Sequence, residues 1–164
     1  MTPLRTLLLL GAIALTVAPA LGHPTAPTAA ELARGRMLVA FGGCNDCHTP
    51  GWRESDGAVP VQAWMSGSTI GFRGPWGTAY PSNVRLRFQE VDESQWLAMV
   101  RTRAGRPPMI WHDLRALDVA DQRAIYRFIR SLGPAGVAAP NDLDPDQTPK
   151  TPSYELVPSS PPPP

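Results

Sequence analysis

Gly42-Gly43-Cys44-Asn45-Asp46-Cys47-His48-Thr49-Pro50 decides how this chain is read. It holds the only two cysteines among 164 residues, separated by two positions and followed directly by a histidine. On a helical turn, two thiols so spaced can each add to one vinyl group of a haem. The adjacent histidine then falls under the iron as its proximal ligand. Cys44 and Cys47 are therefore candidate covalent haem attachments, and His48 is the candidate proximal iron ligand. Three other uses of the pair compete. A thioredoxin-like redox site wants a strand–turn–helix setting in a βαβ unit, which the flanking sequence does not suggest. A zinc site wants a second ligand pair, and only His23 and His112 remain. A disulfide across so short a loop is strained and staples little. No second Cys-x-x-Cys-His occurs, so one haem per chain is expected.

The N-terminus agrees with that chemistry. Arg5 supplies a positive start, Leu7 to Val17 is apolar, and small residues follow at Ala18, Ala20 and Gly22. Residues 1–22 read as a signal peptide cleaved near Ala20 or Gly22. The apolar run falls short of the roughly 18–20 residues that span a bilayer, although an uncleaved anchor differs mainly in length and flanks. Haem attachment of this type takes place outside the bacterial cytoplasm, so the mature protein is expected in the periplasm, without a membrane span.

Residues 28–133 are expected to form one domain. They carry 13 arginines against 10 acids once His23 to Gly133 is counted, and no basic stripe, which argues against nucleic acid as a partner. Residues 134–164 contain 10 of the 20 prolines and few apolar residues, and are expected to be a disordered, Pro-rich tail. Three main helices are legible. The first covers about 29–41, capped by Thr28 with Glu31, with Leu32, Met37, Leu38 and Phe41 as its apolar face. The second covers about 93–103, started by Asp92 with Gln95 and burying Trp96, Leu97 and Val100. The third follows Asp118, buries Ile125, Phe128, Ile129 and Leu132, and stops at Gly133-Pro134. Between the first two runs a Gly-, Pro- and Trp-rich stretch long enough to wrap a ligand.

Haem iron held on one face by histidine takes a second ligand or keeps an open position. A thioether prefers ferrous iron and raises the potential, which suits an electron carrier. Met109 follows Arg106-Pro107-Pro108 and lies 61 residues beyond His48, enough chain to approach the other face. It is the leading distal candidate. Met65 in the long loop is the second, and His112 is the competing nitrogen ligand. Met37 and Met99 lie in helices, where packing is the default role.

On these residues the chain resembles the class I cytochrome c family, in particular bacterial periplasmic single-haem cytochromes similar to cytochrome subunits of dehydrogenases. The matching pieces are Ala33 to Val39, Gly42 to Pro50, Gly74 to Tyr80 with Ser82-Asn83, Arg106 to Met109, and Arg123 to Leu132. The resemblance implies an all-α fold in which long loops wrap one haem and the first and last helices cross beside it. Gly35 would permit their close approach, with Phe41 and Tyr126 near the crossing. It implies Met109 as distal ligand, and Trp76, Tyr80 and Asn83 as haem contacts whose donors reach toward the propionates, with Arg73 adding charge. Two departures stand out. Val84-Arg85-Leu86-Arg87-Phe88-Gln89 follows the asparagine and alternates like a short extended edge, and Ile110 follows Met109 where relatives carry proline.

The expected function is non-enzymatic. A periplasmic single-haem protein would cycle Fe(III)/Fe(II) between a dehydrogenase-type donor and a respiratory acceptor, an oxidase or another cytochrome. The alternatives are a cytochrome subunit permanently docked in a dehydrogenase complex and an open-site haem protein that binds a small gas.

Overall fold

The computed structural model describes Ala26–Leu156. The expected signal peptide, its cleavage position and His23 lie outside the described residues. Among those described, no helix is long and apolar enough to cross a membrane. Six α-helices cover less than half of the described residues and are joined by a small three-stranded sheet that the sequence did not suggest.

Helix α1 (Ala29–Phe41) starts where its capping box requires. The Thr28 hydroxyl accepts the Glu31 N–H, while the Glu31 carboxylate accepts the Thr28 N–H. The short α2 (Cys44–His48) follows after Gly42-Gly43. Helices α3 (Val84–Glu90), α4 (Glu93–Thr102), α5 (Trp111–Ala116) and α6 (Val119–Ser131) complete the set. Asp92 with Gln95 caps α4, and Asp118 caps α6 through the Asp121 N–H. Trp96, Leu97 and Val100 are buried on α4, and Ile125, Phe128 and Ile129 on α6. Leu132 is half-buried at the end of α6.

Two expectations about these helices need correction. The buried face of α1 is Gly35, Leu38 and Val39, whereas Met37 is 42% and Phe41 88% exposed. The reason lies at Gly35. A Cβ there would stand 2.0 Å from the Ala124 carbonyl oxygen and 2.6 Å from Phe128 Cβ. The α6 backbone therefore docks on Gly35, and its i+3 and i+4 neighbours turn inward. Tyr126 is buried, its hydroxyl donating to the Val91 carbonyl (3.0 Å), but Phe41 is not at the crossing. The second correction is α3, whose alternation suggested an extended edge. The Asn83 side chain accepts the Leu86 N–H (3.0 Å) and starts a helix that buries Arg85 and Phe88, three residues apart. The Arg85 guanidinium donates to the carbonyls of Gln62, Leu132 and Gly133, so it closes the C-terminal end of α6.

The core lies between α1, α3, α4 and α6. Phe88 packs on Trp96 and Tyr126, with ring centres 5.1 and 4.9 Å apart, and Trp64 meets Trp52 and Phe128 edge-on. Ion pairs rim the α1–α6 crossing: Arg34 grips Asp121 with two bonds of 2.7 and 2.6 Å, and Arg127 joins Glu31 and Glu93. The Arg34 guanidinium holds the Asp121 carboxyl below the usual range. A carboxyl depressed by folding stabilises above its unfolded pKa, and that contribution is lost as pH falls through the folded value. The melting temperature of the wild type is therefore expected to exceed that of Asp121→Asn near neutral pH. The difference should shrink as the pH falls below the ordinary aspartate range and the folded carboxyl takes up its proton, which thermal unfolding across the acid range checks.

Strands β1 (Gly71–Gly74) and β2 (Gly77–Ala79) form an antiparallel hairpin closed by Pro75-Trp76, and β3 (Ser153–Glu155) adds in parallel to β1. This corrects the expectation of a disordered tail for the part up to Leu156. Residues 134–156 leave α6 and run past both edges of the hairpin. Leu143 bridges to Thr78 on one edge and β3 pairs with β1 on the other. Composition predicts too little apolar burial, but backbone bonds to two open strand edges supply the order instead, and the prolines lower the entropy of the free segment. Val157–Pro164, the end of the expected tail, lies outside the described residues.

Candidate functional site

Gly43, with φ +69°, turns the chain from α1 into α2. The single turn Cys44–His48 then carries both thiols and the imidazole. Both cysteines are free. Burial pushes the Cys44 thiol up to about 11 and raises Cys47 as well. Both groups therefore stay protonated at neutral pH. Dithiol exchange relies on a stabilised thiolate, which this environment opposes. Among the described residues no three His, Cys, Asp or Glu side chains converge on a metal-sized site, so the pair has no companions for zinc.

The His48 ring is held by a bond of 2.8 Å between Nδ1 and the Ser82 carbonyl oxygen. A carbonyl only accepts, so Nδ1 carries the proton and Nε2 keeps its lone pair. Burial lowers the His48 pKa, outweighing the opposite pull of the Ser82 carbonyl, which favours the neutral imidazole that ligates metals. The turn is clamped from beneath. Asn45 is completely buried and its Oδ1 accepts from the Thr49 hydroxyl (2.7 Å), which accepts the Met65 N–H (2.8 Å). The Gly67 N–H donates to the His48 carbonyl (2.8 Å). Sequence reasoning missed Asn45, Thr49 and Ser82. The i, i+4 spacing of Asn45 and Thr49 was a usable signal, whereas Ser82 acts through its backbone and left none.

The methionines separate by position. Met65 is 3% exposed, lies in the core at φ +61°, and its carbonyl accepts the N–H groups of Val84 and Arg85. That side chain is committed to packing. Met109 lies on the loop between α4 and α5, is 36% exposed, and its N–H donates to the Arg106 carbonyl (3.2 Å). His112 is exposed on α5 with Nε2 3.1 Å from Asp113 Oδ1, turned to solvent. Cys44, Cys47 and His48 are thus brought together on one turn. Met109 stands on a separate loop with no direct contact to that turn among the described interactions.

The loop residues singled out as haem contacts are placed differently from one another. Asn83 spends its Nδ2 on the carbonyls of Ala135 (2.8 Å) and Val137 (3.0 Å), and its Oδ1 on the cap of α3. The Tyr80 hydroxyl bonds Thr151 Oγ1 (2.8 Å). Asn83 therefore keeps no free donor for a propionate, and the Tyr80 hydroxyl is engaged with Thr151. Trp76 keeps a free donor: its ring lies where a Cβ on Gly74 would be, and its Nε1 is buried with no partner among the described residues. Arg73 donates to the Gln147 carbonyl (2.9 Å). A cleft of about 300 Å³ opens beside Cys47, lined by Ile70, Phe72, Val137 and Tyr154 but by neither His48 nor Met109.

These side chains fit a covalently held haem as a donor set. Two protonated thiols and a tautomer-fixed imidazole share one turn, a methionine sulfur is left outside the core, and an orphaned indole N–H awaits an acceptor. No protein-family model, curated protein or solved structure matches this chain.

Proposed function

We propose that this chain is a periplasmic single-haem electron carrier with the class I cytochrome c fold, passing electrons from a dehydrogenase-type donor to a respiratory acceptor. The observation that carries the proposal is the His48 ring, fixed by the Ser82 carbonyl on the same helical turn as two free, protonated thiols. The crossing of α1 and α6 at Gly35 supports the fold assignment.

When bound, the haem supplies one-electron cycling between Fe(III) and Fe(II), with no bond made or broken in a substrate. The chain's own residues do the rest. Cys44 and Cys47 tether the porphyrin through thioethers. The Ser82 carbonyl keeps the proton on Nδ1, so His48 presents Nε2 to the metal. Met109 supplies a soft sulfur that favours the ferrous state. Trp76 Nε1 is the donor suited to a propionate. The Asn45–Thr49–Met65 bonds hold the α2 turn in place, which limits ligand rearrangement as the charge changes.

Voltammetry of protein produced with haem-attachment machinery tests this function. A reversible one-electron wave, together with a ferrous form that does not take up carbon monoxide, is the expected result. Irreversible behaviour with ready carbon monoxide binding would instead favour an open-site gas-binding protein.

A further inference from the structure

The segment that follows α6 bonds both the loop around Asn83 and the loop that begins at Arg106. Its start accepts the Asn83 side-chain amide at Ala135 and Val137, next to Ser82, whose carbonyl orients His48. Further on, Asp142 Oδ1 accepts the Tyr80 N–H (2.8 Å), and Leu143 exchanges two backbone bonds of 2.9 Å with Thr78. The same Leu143 carbonyl accepts Arg106 Nη1 (2.5 Å), while Arg106 Nη2 pairs with Asp144 Oδ1 (2.8 Å). The Arg106 carbonyl in turn accepts the Met109 N–H. One continuous run of bonds therefore joins the loop that orients His48 to the loop that carries Met109. The join is made at Leu143 and Asp144, and the Leu143 carbonyl oxygen is shared by β2 and Arg106. Close approach is built in, since a Cβ on Gly77 would stand 2.1 Å from that oxygen.

We infer that residues 134–144 are a strap that sets the position of the Met109 sulfur, with Arg106 as the positioning residue through which it acts. The inference rests on the proposed role of Met109 as distal ligand and goes beyond it, because it assigns the strength of that bond to a segment outside the haem-binding motifs. A mobile Met109 loop would let the sulfur leave the iron more often. The Arg106 bond to the Leu143 carbonyl chiefly suppresses that opening, since the single ion pair to the exposed Asp144 carboxylate is screened by solvent.

Imidazole binding to the full-length ferric protein measures the opening. The iron–sulfur bond breaks, an iron–nitrogen bond forms, and no electron is exchanged. Arg106→Leu is expected to speed imidazole binding about tenfold or more, and Asp144→Ala, a change at an exposed side chain, by a smaller factor. Arg101→Leu removes an equal charge from the exposed end of α4, outside the strap, and should leave the rate within about twofold. The helical circular dichroism should be unchanged in all three. If the wild type shows the red absorption band of sulfur-bound ferric iron, and both strap variants bind imidazole at its rate, the strap is refuted while Met109 stands as ligand. A wild type without that band overturns both.

Discussion

Cys44→Ala with Cys47→Ala is expected to abolish covalently held haem. A denatured, acid-extracted sample of the double variant should show the mass of the bare polypeptide, whereas wild-type chain gains one haem. The expectation follows from the α2 turn. These are the only cysteines in the chain, both are free, and burial keeps them as thiols at neutral pH, which preserves them for addition across the vinyl groups. Single variants should retain one thioether and hold haem less completely. The thermal effect should also be large, since a ligand that binds only the folded state stabilises by mass action and a covalent one does so without dissociating. Haem remaining attached to the double variant after denaturation would contradict the assignment of the turn.

Gly35→Ala is expected to be the most damaging single methyl addition in the helical frame. The new Cβ would be placed 2.0 Å from the Ala124 carbonyl oxygen and 2.6 Å from Phe128 Cβ. The first is backbone and the second is anchored in the core, so neither yields without moving α6 away from α1. Overpacking of this kind costs about 3 kcal/mol, which corresponds to a melting temperature lower by roughly 10 °C in a domain of this size. Alanine's better helix propensity recovers only about 1 kcal/mol. The same change should loosen Leu38 and Val39, which flank Gly35 on the buried face. Ala33→Leu, on the exposed side of α1, should shift the melting temperature by a degree or two at most. Thermal unfolding of the two variants followed by circular dichroism distinguishes these outcomes, and equal melting temperatures would mean that α1 and α6 do not meet at Gly35.

Much of the helical frame is legible in the chain because its signals are local. Thr28 with Glu31, Asp92 with Gln95, and Asp118 before Asp121 each satisfy helix N–H groups within one turn, and all three starts occur where those residues stand. Helix α3 is not legible for the opposite reason. Val84, Leu86 and Phe88 alternate with arginines, but Arg85 finds the carbonyls of Leu132 and Gly133 at the end of α6 and that of Gln62 and is buried, so the polar half of the pattern does not mark a solvent face. The same limit applies to the C-terminal segment. Its order comes from backbone bonds to β1, β2 and Arg106, and neither proline count nor apolar content registers such bonds.

The candidate site divides along the same line. Cys44, Cys47 and His48 are neighbours in the chain, so their chemistry can be read there. The Ser82 carbonyl that fixes the His48 tautomer could belong to any residue type, and Arg106 meets Leu143 and Asp144 across 37 and 38 positions. The chain ranks Met109 ahead of Met65 through the prolines before it, and burial adds that Met65 lies in the core while Met109 is half-exposed.

The paired absorption spectra of oxidised and reduced wild type and Met109→Ala test the central claim most directly. A low-spin ferric wild type with a weak red band from sulfur-bound iron, lost in Met109→Ala together with new binding of carbon monoxide to its ferrous form, is the predicted result. A high-spin wild-type spectrum, indifferent to the substitution and already responsive to carbon monoxide, would contradict it.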